Sequence, residues 1–594
     1  MFMKKSILLI PLSALTLAGL VGMTGCSSSS SGSTNDGGTH GSVDVDETGD
    51  EPEVNNSGDF LLTSSDGTYT SSGDVYTINS AGTFTASGVL DDGQIIIEAG
   101  ESDEVVLELN GLTITCSSDS PIKAVTADKV EVSALSDTAN LVEDARSEKS
   151  STATDDGTYG EGAINAKCDL KLKGSGTLVL RGGYNNGVHT TKDLTIQKET
   201  LYVTAVNNAI KGKDSINVIS GTITALSKKG NGLKTDNTDK SSSGTQRGTI
   251  TVNGGTIIAD APYDGLDASY DLVINEDNED SVSTKITAKT GSNATYSSNY
   301  DSSSSAKGLK AANEISIEAG TVAVEASDDA IHANYGTSFD SGSTGEGNIN
   351  ISGGTVGIAS GDDGIHADNT LTISGGTIDI SGATEALESN HIVITGGSTC
   401  VYGTDDGINA SKKINETPTI EISGGFLDVA VASGDTDGID SNGNYTQTGG
   451  FVVTRGAYGT NANTLSTGMD VDGTAKITGG TLIAFNGLEA TPSTGSSVLY
   501  AYYGSASGSD NVPTGGGGGG GGGMPALSTS TAAFSAGTYT FSGGDISKTF
   551  ENDYEYSTFL VYSAEMSTGT SYTLACDGNT VLSWTQSSSS QQIS

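Results

Sequence analysis

The chain has 594 residues, with 28 Lys and Arg against 73 Asp and Glu, a formal net charge of −45. That imbalance excludes nucleic acid as a partner, because duplexes and single strands need clustered Lys and Arg to displace counterions. It leaves cations, neutral sugars and cation-bridged anions as partners for a folded acidic surface. With 83 glycines and an apolar share of 34%, the chain can bury a core built from small residues and short strands.

At the N-terminus, Lys4 and Lys5 precede an apolar run over residues 6–21. The run is too short and wrongly flanked for a membrane span, so it predicts a signal peptide over 1–25 and export from the cytoplasm. The following Met23-Thr24-Gly25-Cys26 resembles a bacterial lipoprotein cleavage box. That likeness implies diacylglycerol on the Cys26 sulfur and anchoring to the membrane through lipid alone. An ordinary signal peptide followed by an incidental cysteine is the bland alternative. Residues 26–59 are Ser, Gly and acid with almost no apolar residue, which predicts a disordered tether. Cys116, Cys168, Cys400 and Cys576 share no metal-like spacing, and no pairing among them can be deduced.

The body of the chain repeats a short phrase: a polar residue, Gly or Ala, an aliphatic residue, a polar residue. Examples run from Asn186-Gly187-Val188-His189 through Asn208-Ala209-Ile210-Lys211, Asn231-Gly232-Leu233-Lys234 and Asp264-Gly265-Leu266-Asp267 to Lys307-Gly308-Leu309-Lys310. The series continues with Asp329-Ala330-Ile331-His332, Asp363-Gly364-Ile365-His366, Glu385-Ala386-Leu387-Glu388, Asp406-Gly407-Ile408-Asn409 and Asp437-Gly438-Ile439-Asp440. The most frequent spacing is about 22 residues, and longer intervals fit one coil plus a loop, as in a solenoid. Between phrases, Leu371-Thr372-Ile373, then Ser374-Gly375-Gly376-Thr377, then Ile378-Asp379-Ile380 alternate with period two around a Gly-Gly turn.

The fold expected is an all-β, right-handed parallel β-helix of about 22 residues per coil, strands stacking at about 4.8 Å. An N-terminal cap and first coils occupy 60–160, the helix 161–500, a Gly-rich linker 501–530, and a small C-terminal β cap or module 531–594. The nine glycines at 515–523 lack the Lys-Ser/Thr of a phosphate loop. Both open ends of such a stack need capping against edge pairing.

Stacking converts the residue before Gly or Ala into a column. It begins as Asn186, Asn208 and Asn231, which suits an amide ladder. Five consecutive carboxylates close it: Asp329, Asp363, Glu385, Asp406 and Asp437. Neighbouring acids about 4.8 Å apart repel by about 3–4 kcal/mol at an effective dielectric near 20. Asp328, Asp362, Asp405 and Asp435 add a second acid beside or near the first, and Glu388, Asp440 and Asp470 follow the aliphatic residue. Such acids must protonate, splay into water or bind cations. Oxygen donors in excess, with His at the margin, favour Ca²⁺ over zinc. A solvated acidic face is the alternative. Asp264 with Lys307 and Asp267 with Lys310 share columns and predict ion pairs, and His332 and His366 are expected one above the other beside Glu388.

The acid-acid-Gly-Ile phrases, the Ser-Gly-Gly-Thr turns and the openings Gly67-Thr68-Tyr69-Thr70 and Gly82-Thr83-Phe84-Thr85 together resemble a known family. It is a group of secreted, calcium-binding β-helix proteins with carbohydrate-binding domains from cellulolytic bacteria, similar in fold to pectate lyases. The resemblance covers residues 60–584. It implies calcium clustered in adjacent coils and a polysaccharide partner, cellulose or an acidic, pectin-like polymer. Carried over by position, the ligands are Asp328, Asp329, Asp362, Asp363, Asp405, Asp406, Asp435, Asp437 and Asp440. Glu385 joins them through its column.

Two functions of different class follow. The preferred one is a monomeric, lipid-anchored, non-catalytic binding protein in which calcium bridges to uronate carboxylates. The alternative is a calcium-dependent uronate lyase working by β-elimination, with Lys310 or Lys234 as the base. A structural adhesin, needing neither sugar nor turnover, is the third possibility.

Overall fold

The computed structural model describes residues 48–150, 157, 159–339, 342–434, 436–457, 466–489, 491–504 and 534–593. The signal peptide, Cys26, Asp435 and the glycine run at 515–523 lie outside them. Apart from one 3-10 turn at Gly291–Asn293, the regular structure is all β, and 45 strands join in one largely parallel sheet.

From residue 162 to residue 333, each strand of the repeat pairs with the strand three places further along the chain. Asn186–Thr190 pairs in parallel with Ile210–Gly212, and that with Leu233–Lys234. Asp193–Gln197 does the same with Ser215–Val218, and Thr200–Ala205 with Thr222–Ser227. The chain therefore visits three parallel stacks in turn, a solenoid-like path with the phrases in the first stack. Alternation decides what faces in. In Asn348–Ile351 both isoleucines are buried while the polar residues between them are half-buried, and each side chain moved inward contributes about 1.5–3 kcal/mol.

A Gly-Gly pair turns the chain between the second and third stacks. Gly376 has φ of +80°, a conformation that L side chains rarely adopt. At Gly375, an added Cβ would meet the Ser352 carbonyl oxygen of the preceding coil at 2.2 Å. Close stacking, not only the turn, thus demands glycine.

Longer intervals between phrases are taken up by loops latched onto the stacks. Asp280 accepts the Ser220 hydroxyl at 2.6 Å and pairs with Lys198 at 2.6 Å. Asp260, wholly buried, accepts the backbone N–H groups of Thr295 and Tyr296. Residues 48–59 differ from the tether expected of them. Glu51 accepts Arg181 Nη2 at 2.5 Å, Asn56 Nδ2 donates to the Ala139 carbonyl at 2.9 Å, and Val54 packs on the Val179, Tyr202 and Leu226 cluster.

Antiparallel strands cap both ends. Leu61–Ser64 pairs with Gly82–Leu90 at the start, and Phe559–Ser563 lies antiparallel on Ala475–Phe485 at the finish. Beyond the latter, a four-stranded antiparallel sheet runs from Gly537–Gly543 to Asn579–Thr585. Arg455, buried, ties the two parts together: its guanidinium pairs with Asp428 and donates to Asn552 Oδ1 at 3.1 Å. Cys116, Cys168 and Cys576 are buried free thiols.

Glu199 sits at the turn between the second and third stacks with no exposed surface and with neither carboxylate oxygen hydrogen-bonded. Burial pushes its acidity up to about 9. Because the folded chain keeps this proton that the unfolded chain releases near pH 4–5, stability falls as pH rises from there towards 9. Glu199→Gln removes the loss. Its melting advantage over the parent is expected to be negligible at pH 4 and to widen by up to about 1.4 kcal/mol per pH unit above that, as measured by denaturant unfolding at a series of pH values.

Candidate metal centre

The acids reach one edge because the phrases stack in register. Ile331, Ile365, Leu387, Ile408 and Ile439 are successive partners, so the residues two before them align as well. The same bond recurs along the column. Asn231 N–H donates to Asn208 Oδ1 at 3.2 Å, Asp264 N–H to Asn231 Oδ1 at 3.2 Å, and Lys307 N–H to Asp264 Oδ1 at 2.9 Å. Further on, Asp363 N–H donates to Asp329 Oδ1 at 3.1 Å, Glu385 N–H to Asp363 Oδ1 at 3.4 Å, and Asp437 N–H to Asp406 Oδ1 at 2.8 Å. One side-chain oxygen is therefore committed to the backbone of the next coil, and the second is left for other partners.

In the early coils those partners are cations. Lys234 pairs with Asp267, and Lys310 with Asp264 at 3.2 Å. Lys307 turns away from Asp264 and pairs with Asp328 at 2.8 Å and Asp329 at 2.7 Å. Lys234 thus pairs with Asp267 within its column, Lys307 stays within its column but takes Asp329 of the following coil rather than Asp264, and Lys310 crosses to Asp264, since a lysine four carbons long reaches whichever neighbouring coil offers more negative charge. Burial alone would lower the pKa values of Lys307 and Lys310, but the adjoining aspartates raise both. Each is held as an ammonium.

The middle of the ladder combines histidine and acid. His332 and His366 stack with centroids 4.3 Å apart and planes 6° from parallel, beside Glu388 as the register requires. Asp329 Oδ2 lies 2.5 Å from His332 Nδ1, and Asp363 Oδ2 lies 2.8 Å from His366 Nδ1. Glu388 Oε2 is 3.2 Å from His366 Nδ1. Burial opposes charge on Asp329, yet the His332 hydrogen bond and the charge of Lys307 hold its carboxyl far below the usual range. Burial likewise works against the His366 imidazolium, but Asp363 and Asp368 bonding and the charges of Asp329 and Glu388 raise it to about 10.

Asp368, absent from the sequence-derived ligand set, closes the far side of the rings at 3.3 Å from His366 Nε2 and 3.7 Å from His332 Nε2. It lies outside the repeated phrase. Its only signal is a position two after His366 in an extended strand, which places both on one face.

The late coils are different. Burial, then mutual repulsion with Asp440, Asp437 and Asp405, pushes Asp406 up to about 8 against one backbone hydrogen bond. Burial and the charges of Asp470, Asp437 and Asp472 take Asp440 up to about 7. Glu385 is raised by burial and by Asp363 and Asp405, and Asp362 by burial and its acidic neighbours. Asn409 Oδ1 and Asp470 Oδ1 are sealed from solvent with no hydrogen bond, and the register places them on either side of Asp440. Oxygen donors facing one another in this way suit a hard cation.

The fold and ladder define a class: an all-β, solenoid-like protein carrying a file of carboxylates on one edge. A family model described as carbohydrate-binding domain-containing protein matches residues 72–345 and 337–435, and the chain belongs to that family. A carbohydrate-binding domain-containing protein of Acetivibrio thermocellus is 31% identical over 118 residues, 20% of this chain. The match spans 41% of that relative's length. Among solved structures, the polysaccharide lyase-like protein from C. thermocellum, a gadolinium derivative, is 29% identical. The similarity covers 39% of this chain and 86% of that one, with a TM-score of 0.34.

Lys307 tests the ion-pair account of the early coils. Its side chain is 12% exposed between Asp328 and Asp329, and Lys307→Met leaves both acids without their lysine. A loss of about 3 kcal/mol is expected in denaturant unfolding, partly restored by adding Asp328→Asn.

Proposed function

We propose that this chain is an exported, lipid-anchored carbohydrate-binding protein that holds polysaccharide through calcium without cleaving it. In this reading the three stacks form a right-handed parallel β-helix of about 22 residues per coil, the default sense for parallel crossovers. Cys26, behind its lipoprotein-like cleavage box, carries the anchor. Membership of the carbohydrate-binding family carries the choice of partner. The arrangement from Glu385 to Asp470 supports calcium, because carboxyls whose pKa burial and like charge raise, beside oxygens with no hydrogen-bond donor, are surroundings that a hard cation stabilises.

The ligands proposed for Ca²⁺ are Glu385, Asp405, Asp406, Asp437 and Asp440, with Asn409 and Asp470 added and Asp435 adjoining. Asp328, Asp329, Asp362 and Asp363 complete the acidic edge upstream, where lysine and histidine already offset the first two. Calcium bound on this edge presents positive charge to an acidic, pectin-like polymer that the bare protein, at −45, would repel. Cellulose is the neutral alternative.

The lyase reading requires a lysine able to accept a proton. Lys234 is paired with Asp267, and Lys310 is held by Asp264 and by Ser305 Oγ at 3.2 Å. The binding reading is favoured for that reason.

Retention of the purified chain on immobilised polygalacturonate is expected with Ca²⁺ and lost with EDTA. The double variant Asp406→Asn, Asp440→Asn should weaken retention about tenfold or more, about 1.4 kcal/mol. Retention indifferent to both treatments contradicts calcium bridging, and retention on cellulose alone selects the neutral polymer. In a parallel assay, no unsaturated product should absorb in the ultraviolet when polygalacturonate and Ca²⁺ are supplied. Turnover that disappears in Lys310→Ala would establish the lyase instead.

A further inference from the structure

The middle of the ladder differs chemically from the oxygen-only stretch that follows it. Two imidazoles enter the file of acids, and every carboxylate around them has one oxygen already fixed. Asp329 Oδ1 accepts Asp363 N–H, and Asp363 Oδ1 accepts Glu385 N–H. Glu388 Oε1 is taken by Lys413 at 2.7 Å and by the Ser411 hydroxyl at 2.8 Å. The other oxygens, Asp329 Oδ2, Asp363 Oδ2 and Glu388 Oε2, turn towards the Nδ1 atoms, Asp329 Oδ2 also taking the Lys307 ammonium at 2.7 Å. They stand 2.5 Å from that of His332 and 2.8 and 3.2 Å from that of His366. Asp329 Oδ2 also lies 3.9 Å from His366 Nδ1, so it faces both rings.

We propose that His332 and His366, with Asp329, Asp363 and Glu388, form a binding site for a borderline divalent metal ion of the zinc class. Two overlapping sets, Asp329 with His332 and His366, and Asp363 with His366 and Glu388, each bring their ligand atoms within 4.8 Å of one another. Zinc held at about 2.0–2.2 Å by nitrogen and oxygen in a tetrahedron needs donors roughly 3.3 Å apart. The observed separations bracket that value, so the set can close on an ion with small side-chain shifts. Imidazole nitrogen selects this class of ion, whereas calcium takes six to eight oxygens.

The opposite edge of each ring supplies the second element of a metal-binding histidine. Such histidines turn their other N–H to a carboxylate, which fixes the ring and its tautomer. Asp368 stands on that side, its Oδ1 nearest His366 and its Oδ2 accepting Tyr335 N–H at 2.8 Å, whereas His332 Nε2 meets the Asn334 amide nitrogen at 3.1 Å. His366, 9% exposed, has an Nε2 sealed from solvent and without a hydrogen bond, the Asp368 oxygen standing off at 3.3 Å. Among the described residues, the acids of the cluster, Asp328, Asp329, Asp362, Asp363, Asp368 and Glu388, meet two lysines, Lys307 and Lys413, besides the two histidines. A dication is therefore compatible with the charge already present.

The site does not depend on calcium or on polysaccharide, and either proposal can fail alone. Co²⁺ is the probe, added to the untagged full chain after chelator treatment. A saturable visible spectrum is expected at about one equivalent, displaced by Zn²⁺ and unmoved by about a hundredfold excess of Ca²⁺. His366→Ala and Asp363→Asn should each weaken it by about tenfold to a hundredfold, while Asp440→Asn leaves it unchanged. A spectrum that never saturates, that Ca²⁺ erases, or that persists in His366→Ala overturns the proposal. Should His366→Ala fail to fold, X-ray absorption of the zinc-loaded parent decides: imidazole scattering sustains the site, and an all-oxygen shell overturns it.

Discussion

The structure depends on a bond that recurs at the corner where the third stack hands over to the first. There the residue before Gly or Ala gives its N–H to the side-chain oxygen one coil back, as Asn231 does to Asn208 and Asp437 does to Asp406. Its carbonyl accepts the N–H of the preceding coil's Gly or Ala, as Asn231 does from Ala209 and Asp363 does from Ala330. Without that oxygen, the backbone donor at such a corner needs another partner, as Asp329 N–H finds in Asp328 Oδ1 where Lys307 stands one coil back. Asn and Asp have a length that serves, so most of these corners favour a side-chain oxygen before any function is considered. A file of amides or acids is a consequence of the coil itself.

What varies is the second atom of each side chain. Asn uses its amide to link coils, as Asn208 Nδ2 does to Asn186 Oδ1 at 3.0 Å, and needs no counter-charge. Asp leaves an anionic oxygen, and the coils offset it in three successive ways. Lysines serve Asp264, Asp267, Asp328 and Asp329. Histidines serve Asp329 and Asp363. From Glu385 onward, burial and like charge raise the acids together. The column is thus a graded series rather than one site repeated.

The path of the chain was legible because period two and the Gly-Gly turn are local patterns, and the phrase recurs at one spacing. Registers such as His332 over His366 over Glu388 followed from counting. The destinations of Lys307 and Lys310 did not, because a long flexible side chain chooses among neighbours in three dimensions. Asp368 was invisible for a different reason: it belongs to no repeat, and only the stacked rings give it a role. Residues 51–56 read as tether by composition, yet Glu51 and Asn56 find partners on Arg181 and Ala139. A polar segment without a core of its own can still dock where another surface supplies the contacts.

The ends explain why so acidic a coil stays discrete. A parallel stack exposes a full row of N–H and C=O groups at each terminus, a template for pairing with another chain. Phe559–Ser563 occupies the last row in the antiparallel sense, which a further parallel coil cannot extend. The aromatic rings of Phe534, Tyr539, Phe550, Tyr556 and Phe559 then gather on Phe485 of that final coil. Arg455 adds direction to this otherwise non-specific contact. Its fork can satisfy Asp428 on one side and Asn552 on the other only when coil and cap meet in one orientation. Along the ladder, lysines and histidines meet the acids coil by coil, whereas the cap is closed once, by a single buried arginine on Asp428.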